Sequence, residues 1–279
     1  MATSSPAFQR EPIVLPEGTP LVEFKDVSIG FEDHTVLHEV SFTVARGETR
    51  IILGPAGGGK STLMKLANGL LLPDSGEISV FGRNLSEMSE REIFALRAHV
   101  GMVFQESALF DSLDVEDNVA YRLHEDHVPE DEVHTRVVEA LRFVELEKAI
   151  DKFPSELSGG MRRRVSIARA IITKPDLILY DSPTGGLDPI TSTTIIELVV
   201  KQRDVSKATS LLITHRLQDA FTLATHCWDP NTNHMQKIAD GSLDPNTKFL
   251  VLNEGKVVFD GTTRELTHST DPWLKAYLE

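Results

Sequence analysis

The sequence predicts an α/β fold whose strands run parallel and are joined by crossover helices. Three observations carry that prediction. A glycine-rich loop, Gly54-Pro55-Ala56-Gly57-Gly58-Gly59-Lys60-Ser61-Thr62, follows one apolar run and opens a helical one. Two short β-rich runs at 177–180 and 210–214 are split by a helical stretch at about 189–204, the rhythm of a βαβ unit, which forces parallel pairing. Residues 106–174 read as mostly helical and form a subdomain of their own.

Taken in order, residues 1–20 carry Pro6, Pro12, Pro16 and Pro20 and read as a flexible tail, followed by one folded domain over 21–279. Leu21-Val22-Glu23-Phe24 and Val40-Ser41-Phe42-Thr43-Val44 alternate in polarity as half-buried strands do. Arg46-Gly47-Glu48 is a turn, and Thr49-Arg50-Ile51-Ile52-Leu53 a buried strand feeding the glycine loop. A helix then runs from Lys60 to Asn68, with Gly69 as its C-terminal cap. Asp74-Ser75-Gly76 turns into the strand Glu77-Ile78-Ser79-Val80, and Ser89 with Glu92 has the spacing of a capping box. Near the end come a strand at 249–253, a turn at Glu254-Gly255, a strand at 256–259 and a last helix from about Asp271. Residues 226–248 repeat Asp-Pro-Asn-Thr, at Asp229 and again at Asp244. Turn chemistry makes these the closures of a surface loop or hairpin; a partner-binding insertion is the other reading.

Composition narrows the function classes. The chain has 279 residues, is 41% hydrophobic and carries a net charge of −14, so it can bury a real core but does not suit a nucleic-acid partner or direct adhesion to an anionic membrane. A membrane link would run through a protein partner. One cysteine, Cys227, excludes an internal disulfide. No run approaches the roughly 18–20 apolar residues of a spanning helix, and the first residues lead no apolar signal segment.

The glycine loop has the composition that holds phosphate. Glycines leave backbone N–H groups free to wrap phosphate oxygens, and the helix N-terminus adds positive potential. In that context Lys60 reaches the β- and γ-phosphates and the Ser61 hydroxyl ligates Mg²⁺. Asp181 ends the apolar run Leu177-Ile178-Leu179-Tyr180. A carboxylate at a buried strand tip calls for a cation, and Mg²⁺ supplies one; the alternative is an Asp that caps the next turn.

With Leu157-Ser158-Gly159-Gly160-Met161 added, the set resembles the nucleotide-binding domain of ABC ATPases, with motifs in family order from about Leu21 to Leu266. The resemblance implies a P-loop NTPase core with a mixed or parallel sheet, an antiparallel β subdomain and a helical signature subdomain. It implies ATP and Mg²⁺ as cofactors. Gly54, Pro55, Ala56, Gly57, Gly58, Gly59, Lys60, Ser61 and Thr62 would form the Walker A loop, and Asp181 would close Walker B. Phe31 would lie under the adenine ring, unless it is a core aromatic. Gln105, in Val103-Phe104-Gln105-Glu106, would be the Q-loop glutamine at the metal and the attacking water. Ser158, Gly159 and Gly160 would meet the γ-phosphate of an opposite subunit. Asp188, in Gly186-Leu187-Asp188, belongs to the D-loop, and His215 to the switch. Along the signature helix Met161, Val165, Ala168 and Ile172 follow core spacing. Arg162, Arg163 and Arg164 either face solvent or brace that helix.

Met161 and the arginines after it look like the Mce/Mla-type lipid transporter branch. That resemblance implies a second ABC subunit as partner, either a second copy of the chain or a different chain that could keep one complete site, together with transmembrane permease subunits with a coupling helix near 105–121, and a Mce-type lipid-binding protein. It places the chain in the cytoplasm, peripheral on the inner face of the cell membrane, energising movement of phospholipid or other apolar cargo. One position departs from the family. Ser182 stands where most members carry Glu, so hydrolysis is expected to be slow, with His215 and Gln105 holding the water. The alternative is a nucleotide-gated clamp or regulatory subunit with little hydrolysis. A soluble ATPase of ribosomes or DNA would carry tandem domains or basic arms that are not seen here.

Overall fold

The computed structural model describes residues 13–32 and 34–279, apart from the side chain of Asp240. Most of the N-terminal tail therefore lies outside the described residues. From residue 13 on, Ile13 and Leu15 pack against the domain, and Arg46 donates to the Ile13 carbonyl.

The chain opens with β1 (Val22–Phe31) and β2 (His34–Val44), antiparallel and both longer than their alternating cores because bulges carry the ladder on towards Phe31 and His34. Then come β3 (Thr49–Leu53), α1 (Lys60–Ala67), β4 (Ser75–Val80) and the short β5 (Arg83–Asn84). Helix α2 (Glu90–Arg97) starts at the Ser89–Glu92 capping box. Strand β6 (Val100–Val103) leads into the helical subdomain of α3 (Val115–Glu125), α4 (Glu130–Phe143) and α5 (Gly159–Ile171). The crossover unit is β7 (Leu177–Asp181), α6 (Pro189–Ser206) and β8 (Thr209–Ile213). After α7 (Leu217–Thr225) follow β9 (His226–Asp229), β10 (His234–Lys237), β11 (Thr247–Asn253), β12 (Lys256–Thr262), α8 (Thr263–Thr267) and α9 (Pro272–Leu278).

Among the described residues two large sheets form. One is antiparallel, in the order β2-β1-β4-β5; the other runs β12-β11-β3-β8-β7-β6 and is parallel except for β12. The central strands are buried on both faces, which is why they read as continuous apolar runs. Ile51, Leu53, Ile178, Tyr180 and Leu212 belong to a core shared with α3–α7. Ile52, Leu177, Leu179, Leu211 and Ile213 face the antiparallel sheet and α1. The period of two in a strand thus divides one sheet between two cores.

The two Asp-Pro-Asn-Thr turns do different work. The first closes the β9–β10 hairpin, with Asn231 N–H on Asp229 Oδ1 at 2.9 Å. The second is no part of that hairpin: it delivers the buried Thr247 to β11, and its Asp244 pairs at 3.2 Å with the buried Arg203.

Candidate functional site

Parallel register carries four loop starts to one edge of the central sheet. Val103 pairs with Tyr180, Asp181 with Ile213, Ile52 with Ile213 and Leu53 with Val251. Gln105, Asp181, His215 and Gly54 therefore leave or end neighbouring strands at their C-terminal tips, where open α/β sheets bind ligands.

The glycine loop is shaped by backbone that side chains would block. Gly54 has φ 139, and a Cβ there would lie 2.1 Å from the Leu252 carbonyl oxygen. Gly59 begins α1 at φ 86, where a Cβ would come within 2.5 Å of Leu37 Cδ2. The helix start has no side-chain cap and no acidic residue in its first turn, so its N–H groups suit an anion. Lys60 is buried, and its Nζ donates to the carbonyls of Gly54 (2.9 Å) and Pro55 (2.6 Å). Burial pulls the Lys60 pKa below its ordinary value, against the opposing pull of Asp181. Gly57 and Ser61 are exposed at the loop mouth, Thr62 is half-buried, and a Cβ on Gly57 would enter open space. An uncapped helix start, a buried ammonium and a hydroxyl beside it fit a Mg-triphosphate.

Next to the loop, Ser182 is 4% exposed with φ 47. Its Oγ lies 3.4 Å from Asp181 Oδ1, and its N–H donates to the Ile213 carbonyl at 3.0 Å. His215 is exposed. Desolvation, and then the Lys60 charge, lower its pKa, with Asp181 pulling the other way, so lysine, aspartate and imidazole share one electrostatic neighbourhood. Gln105 is exposed, and its side chain lies against Gly185, where a Cβ would stand 3.2 Å from Gln105 Cγ.

Helix α5 is tied to this edge by Arg163, which is 4% exposed. Its guanidinium donates to the carbonyls of Ser182 (3.1 Å), Gly185 (3.4 Å) and Gln105. Arg162 holds the Leu157 carbonyl at 2.6 Å, and Arg164 the Val144 carbonyl at 3.1 Å. The solvated-face reading of this triplet is thus corrected: all three tie backbone segments together. A signal was available for Arg163, which shares the i, i+3, i+4, i+7 stripe of Ser166, Ile167 and Ala170, all buried. The core reading of Val165, Ala168 and Ile172 agrees with their burial.

Ser158 caps α5, its Oγ accepting from Met161 N–H at 3.2 Å. Gly160 packs on α6 so closely that a Cβ would sit 2.4 Å from Thr191 Cγ2, while Gly159 has only Leu187 Cδ2 at 3.6 Å. Asp188 caps α6 through Thr191, 3.0 Å to its N–H and 2.6 Å to its hydroxyl. Among the described residues no hydrogen bond or ion pair joins residues 158–160 to the glycine loop. Phe31 is 46% exposed at the end of β1, so the core-aromatic alternative falls. Sequence reasoning gave no sign of Tyr277, whose hydroxyl accepts the Gly54 N–H at 2.9 Å from 223 positions away.

Beside the Gln105 segment lies a cleft of about 310 Å³ whose lining includes Met102, Phe104, Phe110, Tyr121, Arg122 and Arg169. Val115 turns away from this cleft into the core at 0% exposure, and Leu109 packs on the same core; both follow α3 and its lead-in inward.

Comparison with known proteins agrees with this geometry. The profile of the ABC transporter family matches residues 37–185. The intermembrane phospholipid transport system ATP-binding protein MlaF of Escherichia coli K12 is 35% identical over 260 residues, covering 93% of this chain and 88% of MlaF. The methionine import ATP-binding protein MetN 2 of Bacillus cereus is 36% identical over 263 residues, covering 92% of this chain and 72% of that protein. A dimeric, post-hydrolysis structure of the ATP-binding cassette MJ0796 with ADP and Pi superposes with a TM-score of 0.72 at 27% identity, covering 86% of this chain and 98% of that one. The chain belongs to the ABC transporter family, as an ATP-binding cassette with a P-loop NTPase core and an ABC-type ATPase activity served by ATP and Mg²⁺.

Proposed function

We propose that this cassette powers a transporter for phospholipid or a related apolar molecule. The likeness to MlaF carries the reading, since it spans 93% of this chain and 88% of that relative. Met161 and the arginines that follow support the same branch. MetN 2, equally similar in identity but matched over 72% of its length, favours a second reading, import of a small polar solute.

Two copies would meet head to tail. The Ser158-Gly159-Gly160 tip of one copy would then face the Gly54–Thr62 loop of the other, at Lys60 and Ser61. Bound Mg²⁺, held by Ser61, Asp181 and Gln105, would offset phosphate charge. Lys60 would exchange its two loop carbonyls for phosphate oxygens. His215 and Gln105 would hold the attacking water, while Ser182 supplies a hydroxyl and no carboxylate. Positioning and charge can carry phosphoryl transfer without a strong base, so slow turnover is the expected outcome. Ser182 is also the observation behind the clamp alternative.

The permease would dock its coupling helix in the cleft of Phe104, Phe110 and Tyr121. Among the described residues no helix is long and apolar enough to cross a membrane; the likeness to MlaF supports a peripheral place on the inner face of the membrane, where the cassette would sit beside permease and Mce-type partners. The test is reconstitution of the chain with the membrane proteins that co-purify with it. ATP-dependent transfer of labelled phospholipid between vesicles is expected. Methionine uptake without lipid transfer would replace this reading with the second one.

A further inference from the structure

Helix α9 closes on the phosphate loop from the far end of the chain. Asp271 caps it, accepting the Leu274 N–H at 2.8 Å, and Leu274 is buried in the helical core at 2% exposure. Trp273 and Tyr277 stack at 5.3 Å with ring planes 4° apart. That stack aims the Tyr277 hydroxyl at Gly54. The ladder of β3 with β11 ends at Leu53 opposite Val251, so the buried Gly54 amide needs an acceptor from elsewhere. Tyr277 provides it at 2.9 Å. The Gly54 carbonyl takes Lys60 Nζ at 2.9 Å, and the Leu252 carbonyl leaves no room for a Cβ. One residue at the root of the loop is thus pinned on three sides. Burial pushes the Tyr277 pKa up, so the hydroxyl stays a neutral phenol at physiological pH.

We propose that Tyr277 is a positioning residue of the nucleotide site, holding the first peptide of the loop in its phosphate-receiving conformation and making the C-terminal helix part of the ATP machinery. This rests on reading residues 54–62 as the phosphate loop. When Lys60 turns from the Gly54 carbonyl to phosphate, the loop root loses one of its ties. The Tyr277 hydrogen bond to the Gly54 N–H then remains, beside the steric wall of the Leu252 carbonyl, to keep the Gly54 backbone in place.

The test uses the full chain. Tyr277→Phe keeps the stacked ring and removes only the hydroxyl. Its dissociation constant for Mg-ATP, measured by calorimetry, should rise about three- to tenfold, the worth of one net hydrogen bond. KM should follow while kcat holds within about twofold of the native value. Hydrogen exchange at the Gly54 amide should quicken about tenfold, with strand 209–213 unchanged. Unaltered affinity together with unaltered Gly54 protection overturns the proposal. Trp273→Leu, which loosens the ring and keeps the hydroxyl, gives a second reading. Affinity lost in step with Gly54 protection supports positioning, and affinity lost with protection intact overturns it. Lys60→Ala serves as the separate control. If it binds Mg-ATP as the native protein does, the phosphate-loop reading itself is wrong, and the role of Tyr277 goes with it.

Discussion

Beside Asp181 the chain places a hydroxyl rather than a second carboxylate, and the backbone around it is closely held. The Ser182 carbonyl receives Arg163, and its N–H bonds Ile213, so the side chain at this position starts from a fixed root. General-base catalysis supplies about 10²–10⁴-fold. Ser182→Glu should therefore raise steady-state phosphate release at least tenfold, and equal rates for the two proteins would remove the handicap assigned to the serine. His215 makes a second residue-scale case. Its imidazole is the acceptor that neutral pH leaves uncharged, because desolvation and the nearby Lys60 both disfavour a proton there. In the nucleotide-free protein its midpoint, followed by NMR, should lie below 6.5. Lys60→Ala should move it up and Asp181→Asn further down, since those charges act with opposite signs. A midpoint above 6.5, or the reverse order of shifts, would contradict the arrangement.

Among the elements, α5 joins residues 158–160 to the strand-tip edge of the sheet, and its first turn does two jobs at once. The Ser158 cap starts the helix. Gly160 lets it lie against α6 with no room for a methyl group beside Thr191. Gly160→Ala should cost about 1–3 kcal/mol by overpacking, read as a lower melting temperature. Pairing it with Thr191→Ser, which deletes the clashing methyl and keeps the hydroxyl bonded to Asp188, should return most of that loss. If the pair gains nothing, the contact is not the cause. Element identity was largely legible. The 60–68 helix, the Ser89 capping box, the crossover strands and the Asp271 start all came from periodicity and cap chemistry. Strand ends were not legible: β1 runs on to Phe31 through bulges, which depend on its partner strand and not on its own residues.

For the whole molecule, the −14 charge of each copy opposes pairing, and nucleotide phosphates add to that repulsion unless a cation offsets them. Pairing should therefore depend on both ATP and Mg²⁺. Light scattering is expected to show a monomer alone, a dimer with Mg-ATP, and a return to monomer when a chelator removes the metal. A dimer indifferent to nucleotide and metal would remove the shared seam on which the proposed mechanism rests.

The loop glycines and the Ser158 start of α5 could be read directly, because each expresses a local requirement: a backbone that a side chain would block, a helix that needs a cap. Contacts between distant segments could not. That Arg163 joins the carbonyls of Gln105, Ser182 and Gly185, that Val115 turns inward while Phe110 stays out, and that Tyr277 reaches Gly54 were decided by packing alone. Local sequence sets which conformations a segment prefers. Only the assembled sheet and its two cores determine which carbonyl, 20 or 200 residues away, a buried donor will meet.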